Sequence, residues 1–140
     1  MSLGDVEGGR SGTMVDVTSP TSTTRPLTGV RVLDLSRVLS GPHCTRMLAD
    51  MGADVIKIEP PAGDLTRFAT PRRHGLSSYF VQQNVGKANL SIDLATPEGA
   101  EILLQLVEHA DVLVENYRPG VMARLGLDAE AARARNPRLI

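Results

Sequence analysis

The sequence predicts an α/β protein: a Rossmann-like parallel sheet with helices on both faces. Three observations carry that expectation. Short apolar runs containing β-branched residues recur at "VRVLDLS", "ADVIKIE", "NLSIDL" and "DVLVE". Helical apolar spacing occupies the intervals after the first and third of these, and helix-starting and helix-stopping residues mark the joins. Strands alternating with helices favour parallel pairing, because a parallel crossover needs a connection about as long as a helix. Ligands of such sheets sit beyond the carboxyl ends of the strands. Residues 37–41, 60–64 and 116–120, each following a strand, are therefore the candidate binding segments.

Residues 1–26, "MSLGDVEGGRSGTMVDVTSPTSTTRP", are rich in Gly, Ser and Thr without periodicity, so a disordered leader is expected there. Order is expected over 27–140. Residues 30–36 are short and mostly apolar, as a buried parallel strand should be. Cys44, Met47, Leu48 and Met51 then fall at i, i+3, i+4 and i+7, which predicts the buried face of a helix, with Cys44 in the core. Pro42 suits the first turn of that helix and Gly52 the position just past its end. Residues 53–59 form the second strand, and Pro60 and Pro61 stop it.

Residues 62–86 read as irregular and polar, with a basic group of Arg67, Arg72, Arg73 and His74 and a short helix over 77–83. Residues 89–94 alternate as a half-exposed third strand. Thr96 as N-cap, Pro97 at the first position and Glu98 near the positive end of the dipole begin a helix. Its expected buried stripe is Ala100, Leu103, Leu104 and Val107. Residues 111–115 are the fourth strand; "VMARLG" is a short helix, and another starts at Asp128. Arg138, Leu139 and Ile140 read as the opening of a further strand, so the domain is expected to be cut short.

Composition sets outer limits. The chain has 140 residues, 41% of them apolar, with two Phe, two Tyr and no Trp, so aliphatic side chains must fill the core. A net charge of −1 exerts no overall pull on nucleic acid or an anionic membrane. The single cysteine, Cys44, cannot form an internal disulfide and fits a reducing compartment. No apolar run is long enough for a membrane span and no signal pattern opens the chain, so the expected location is cytoplasmic. His74 and His109 lack companions at ligand spacing, and no metal site is expected.

The turn after the first strand, "RVLSGPH", limits the ligand. A dinucleotide turn uses three glycines to bring backbone against a pyrophosphate at a helix N-terminus. This turn has only Gly41, and Pro42 removes a backbone donor, although Glu59 stands where a ribose-binding acid would. The balance is against NAD. After the fourth strand, "ENYRPGVMARLG" places Arg118 at the strand end and Arg124 six residues on. Two guanidiniums at one rim suit a phosphorylated ligand, and Tyr117 offers a flat face for a base; solvated surface arginines remain the plain alternative. His43 and Cys44 point about 100° apart on a helix and do not make a nucleophile pair.

Taken together, "LTGVRVLDLSRVLSGPHCTRMLADMGADVIKIEPPAGD", "SSYFVQQNVGKANLSIDLATPEG" and "ADVLVENYRPGVMARLGL" followed by "NPRLI" resemble the class III CoA-transferases, a family that includes the α-methylacyl-CoA racemases. The likeness runs from Leu27 to Ile140. It implies that the turn accommodates coenzyme A, with Val38, Leu39, Ser40 and Gly41 against the CoA and acyl site. Ile92, Asp93, Leu94, Ala95, Asn116, Tyr117, Arg118 and Arg124 would line the nucleotide, and Tyr79 would stand near the acyl end. It also implies an acyl-CoA and a carboxylic acid acceptor as reactants, and a larger fold in which two full-length subunits interlock as a homodimer.

Leu39 replaces a glutamine of some family members, and Pro60 replaces a basic residue that helps bind CoA in others. The length of residues 62–87 is closer to the transferases than to the racemases. The family's aspartate nucleophile maps beyond Ile140, so no catalytic residue is expected within this chain. Three alternatives stay open: a fragment of an α-methylacyl-CoA racemase-like enzyme, a truncated CoA-binding or interaction module without chemistry, and a nicotinamide-dependent dehydrogenase.

Overall fold

The computed structural model describes residues 24–140. The expected leader lies outside the described residues apart from 24–26. The elements run β1 (Arg31–Asp34), α1 (Ser40–Asp50), β2 (Asp54–Glu59), a 3-10 turn (Leu65–Phe68), β3 (Arg72–Arg73), β4 (Leu76–Ser77), α2 (Ser78–Asn84), β5 (Ala88–Ser91), α3 (Pro97–Val107), β6 (Val112–Val114), α4 (Val121–Arg124) and α5 (Ala129–Arg135). Four strands form one sheet in the order β5-β2-β1-β6, and every pairing is parallel. In chain order this is third, second, first, fourth, the arrangement of one half of a doubly wound nucleotide-binding sheet. Ile140 adds a rung beside β6: its N–H donates to the Asp111 carbonyl and its own carbonyl accepts from Leu113 N–H. These two bonds have the parallel pattern, but of the expected "RLI" strand only Ile140 pairs, Arg138 lying in a turn and Leu139 N–H donating back to the Asn136 carbonyl.

Side chains of a strand alternate between faces, and the sheet has a core on each. Val32 and Val55 face α1, where they pack with Ala49 and Ala53. Leu33, Leu35 and Ile58 face the other way, against Leu103 and Val107 of α3 and Met122, Leu127 and Ala132 beyond β6. Each large aliphatic buried in this way contributes about 1.5–3 kcal/mol. Thr96 caps α3 as expected, its hydroxyl accepting from Gly99 N–H at 3.0 Å.

The buried face of α1 differs from the expected one. Cys44, Met47 and Met51 are exposed, and Gly41, Pro42, Thr45 and Ala49 are buried. The helix lies close over β1: a Cβ on Gly41 would overlap the Ser36 side chain, and Thr45 Oγ1 donates to Asp34 at 2.6 Å. Only small residues fit at that distance, so the sheet selects the small-residue face of the helix over the apolar one. Core packing of Cys44 is thereby corrected.

The segment after β2 holds more structure than its composition suggests. Asp64 caps the 3-10 turn by accepting from Thr66 N–H. Arg72–Arg73 pairs with Leu76–Ser77 across a two-residue turn in which His74 and Gly75 both have positive φ, the geometry that suits a tight hairpin. The expected short helix is present at Ser78–Asn84 with Ser77 as its cap. Strand β5 ends at Ser91, three residues before the expected end at Leu94. The chain turns out of the sheet because Asp93 Oδ1 accepts from Ala95 N–H and its carbonyl from Thr96.

Candidate functional site

The segment joining β1 to α1 is held from three sides. Asp34 accepts from both the backbone and the hydroxyl of Ser36. The Ser36 carbonyl accepts from Lys57 Nζ at 2.9 Å. From the loop after β6 comes Asn116, whose side-chain oxygen accepts from Arg37 N–H and whose amide donates to the Arg37 carbonyl, both at 2.8 Å. Val38 follows with φ of 69°, a conformation that a β-branched residue adopts only under constraint. The lone glycine of the turn, Gly41, serves close packing against Ser36 and not a phosphate loop.

A cleft of about 410 Å³ opens beyond the carboxyl ends of the strands, between the loops after β1, β2, β5 and β6. It is lined by Arg37, Ile58, Glu59, Pro60, Ile92, Asp93, Leu94, Ala95, Tyr117, Arg118, Val121 and Leu125. Of the eight residues expected to line the nucleotide, Ile92, Asp93, Leu94, Ala95, Tyr117 and Arg118 line this one cavity. Asn116 does not, its amide being engaged with Arg37. Leu39, half-exposed, and Ser40, exposed, begin α1 outside the lining, and Arg124 is exposed on α4 beside Val121 and Leu125 without lining it. Tyr79 lies in a second hollow, with Val38, Leu65, Thr66, Phe68 and Ala69. The adjacent residues Arg37 and Val38 thus border two different concavities.

The sequence reading missed Arg37. Its guanidinium lies 4.8 Å from the centre of the Tyr117 ring, close enough for cation–π attraction, and it belongs to the cleft lining. Its position just past a strand end was the available signal.

A lattice of buried ions under the cleft was missed as well. Val32 and Val55 give way, two residues on along the same face, to Asp34, Lys57 and then Glu59, all buried. Lys87 Nζ donates to Asp34 at 2.8 Å, and to Asn84 and the Pro42 carbonyl at 2.9 Å each. Lys57 Nζ lies 3.3 Å from Asp64. Glu59 takes both arms of Arg67 at 2.6 Å, the Asp64 N–H at 2.7 Å and the Asn89 amide. Arg67 in turn lies 3.9 Å over the Phe80 ring. With its oxygens so engaged, Glu59 is not a free acceptor for a ribose, which removes the one feature that favoured a dinucleotide.

The ionisation of this lattice follows from burial against hydrogen bonding. Burial pushes the Asp34 carboxyl up, but the bonds from Lys87, Ser36 and Thr45 outweigh it and hold it below the ordinary aspartate value. Burial likewise raises Glu59 and Asp64, and is outweighed by Arg67 and the Asp64 N–H in one case and by Thr66 and Lys57 in the other. Lys87 moves down, because burial of its ammonium exceeds what Asp34 returns. Both members of the Asp34–Lys87 pair are ionised at neutral pH, since all three donors of the ammonium have acceptors. Among the described residues, no group of three His, Cys, Asp or Glu is placed to hold a metal ion, and no helix is long and apolar enough to cross a membrane.

Comparison with known proteins identifies the lineage. The chain is 48% identical over 119 residues to a succinyl-CoA:mesaconate CoA-transferase of Haloarcula hispanica, covering 81% of this chain and 30% of that one. It is 45% identical over 119 residues to a formyl-CoA:oxalate CoA-transferase of Bradyrhizobium diazoefficiens, covering 84% and 28%. The crystal structure of a CAIB/BAIF family protein from Brucella suis superposes with a TM-score of 0.79 at 43% identity, covering 83% of this chain and 32% of that one. The chain therefore spans about 30% of the length of the curated relatives it matches. With the family model for CoA-transferase family III matching residues 27–140, over the same strands and loops that build the cleft, the chain belongs to CoA-transferase family III.

Proposed function

We propose that the protein binds coenzyme A thioesters and forms the CoA-binding part of an enzyme that moves CoA between carboxylic acids. The observation that carries this reading is the cleft at the strand tips. Its wall combines two guanidiniums, Arg37 and Arg118, with an aromatic ring and the apolar side chains Ile58, Leu94, Val121 and Leu125. Guanidiniums suit phosphates through paired, charge-assisted bonds, and the apolar wall suits a purine. Tyr79 and its hollow lie on the Val38 side of the clamped segment, which supports an acyl end there and a nucleotide end in the cleft.

The two relatives named above act on succinyl-CoA and mesaconate and on formyl-CoA and oxalate. By that likeness the proposed reactants are a CoA thioester of a small carboxylic acid and a carboxylate acceptor. The work assigned to the residues of this chain is binding and orientation; the covalent step belongs to an aspartate outside them. A homodimer in the cytoplasm is the proposed setting, from the family resemblance and the single cysteine.

Calorimetric titration with CoA tests the reading. Saturable binding is expected, and Arg118→Ala should weaken it about tenfold or more, as loss of a charge-assisted contact does. Absence of any binding by the unaltered protein removes the proposal, and binding of NAD in place of CoA would redirect it to a dehydrogenase.

A further inference from the structure

We propose that Arg37 is the second phosphate-contacting cation of the cleft and that Asn116 is a positioning residue that aims it. The inference rests on the reading of the cleft as a CoA site and assigns roles within it that differ from the family-based expectation for Asn116 and Arg124. Three observations carry it. Arg37 lines the cavity and Arg124 does not. Arg37 takes part in no ion pair among the described residues, whereas Glu59, the buried carboxylate of the lining, is saturated by Arg67, Asn89 and a backbone N–H. Asn116 holds both polar groups of the Arg37 backbone at 2.8 Å and is absent from the lining.

The charge arithmetic points the same way. With Glu59 matched by Arg67, the remaining charged groups of the lining are Arg37, Arg118 and the exposed Asp93. Two cations against one anion leave the cavity positive, which suits a bisphosphorylated nucleotide. An arginine on a flexible stem is a poor receptor unless its direction is set in advance, because ordering it on binding costs entropy. Here the direction is set twice. The Asn116 amide fixes the Arg37 backbone across 79 residues of sequence, and the Tyr117 ring carries the guanidinium. Asn116 and Tyr117 are neighbours, so one loop after β6 supplies both supports. Val38, held at positive φ next to the clamp, shows that the local backbone is constrained and not freely relaxed.

The test is a double-mutant cycle read by titration with CoA and with adenosine 3′,5′-bisphosphate, which carries the nucleotide end alone. Arg37→Ala is expected to weaken both ligands about tenfold and to flatten the dependence of affinity on salt. Asn116→Ala is expected to weaken both by a smaller factor. The double variant should bind no worse than Arg37→Ala, because a residue that acts only through Arg37 has nothing left to act on. Additive losses would show that Asn116 touches the ligand itself and would overturn its assigned role. Unchanged binding in Arg37→Ala together with loss in Arg118→Ala would overturn the proposal while leaving the CoA reading intact. Weakened CoA with unchanged bisphosphate binding would place Arg37 at another part of the ligand and also overturn it. If the unaltered protein binds neither ligand, the CoA reading fails and this inference falls with it. Should Arg37→Ala not fold, Arg37→Gln keeps the stem and removes the charge, and the same outcomes apply.

Discussion

Lys87 ties the segment after β2 to the middle of the sheet. Its ammonium is buried with Asp34, and removing one member of such a pair leaves an unmatched charge. Lys87→Met is expected to lower stability by about 3–5 kcal/mol, read as a shift of the urea midpoint at neutral pH. A shift under about 1 kcal/mol would mean that the pair is not closed in solution. Val38 makes the opposite case. At φ of 69° a valine is strained, so Val38→Gly should be close to neutral, although Val→Gly within a strand normally destabilises. A clear loss of stability there would argue that the side chain, half-exposed in the hollow with Tyr79, is packed by something else. Neither residue announced itself in the sequence. "GKANL" and "SRVLS" look like ordinary surface and turn, because the partner of Lys87 lies 53 residues away and the clamp on Arg37 lies 79 away.

At the scale of elements, α3 shows how capping and close approach carry different weights. Thr96→Ala removes one cap bond and should cost about 1 kcal/mol. Gly99→Ala lies in the first turn of a helix, where alanine is ordinarily the better residue. Here a Cβ would overlap the Asp93 carbonyl oxygen, backbone that cannot yield without moving the strand end at the cleft. Gly99→Ala is therefore expected to destabilise more than Thr96→Ala and to weaken CoA binding as well, checked by thermal unfolding and the same titration. The cap was legible from "TPEG", since capping is a local hydrogen bond. The buried face of α1 was not, because distance from the sheet, set by Gly41 and Thr45 against Ser36 and Asp34, decided it.

For the whole molecule, the buried carboxylates predict acid sensitivity. Asp34, Glu59 and Asp64 all sit below their ordinary values of 3.8, 4.5 and 3.8 when folded. The unfolded chain therefore binds more protons than the folded one between the two sets of values, and stability falls as pH is lowered through them. The contribution of these groups is fully present above the ordinary values and is lost progressively below. The urea midpoint should change little from neutral pH down to about pH 5 and then drop steeply. Replacing Asp34 by Asn should shallow that drop, and an unchanged acid limb in that variant would remove Asp34 from the account.

The sequence alone was sufficient for the alternation of strands and helices, the parallel sheet, the cap at Thr96 and the helix start at Asp128, and it named six residues that the fold gathers in one cleft, because these follow from local periodicity and from motifs that stay contiguous in the chain. Tertiary structure alone decided which face of α1 is buried, that Lys57, Glu59 and Asp34 form an ionic floor, and that Arg37 rather than Arg124 enters the cleft. Each of those outcomes depends on the separation between elements far apart in sequence, and a distance across the fold leaves no periodic trace along the chain.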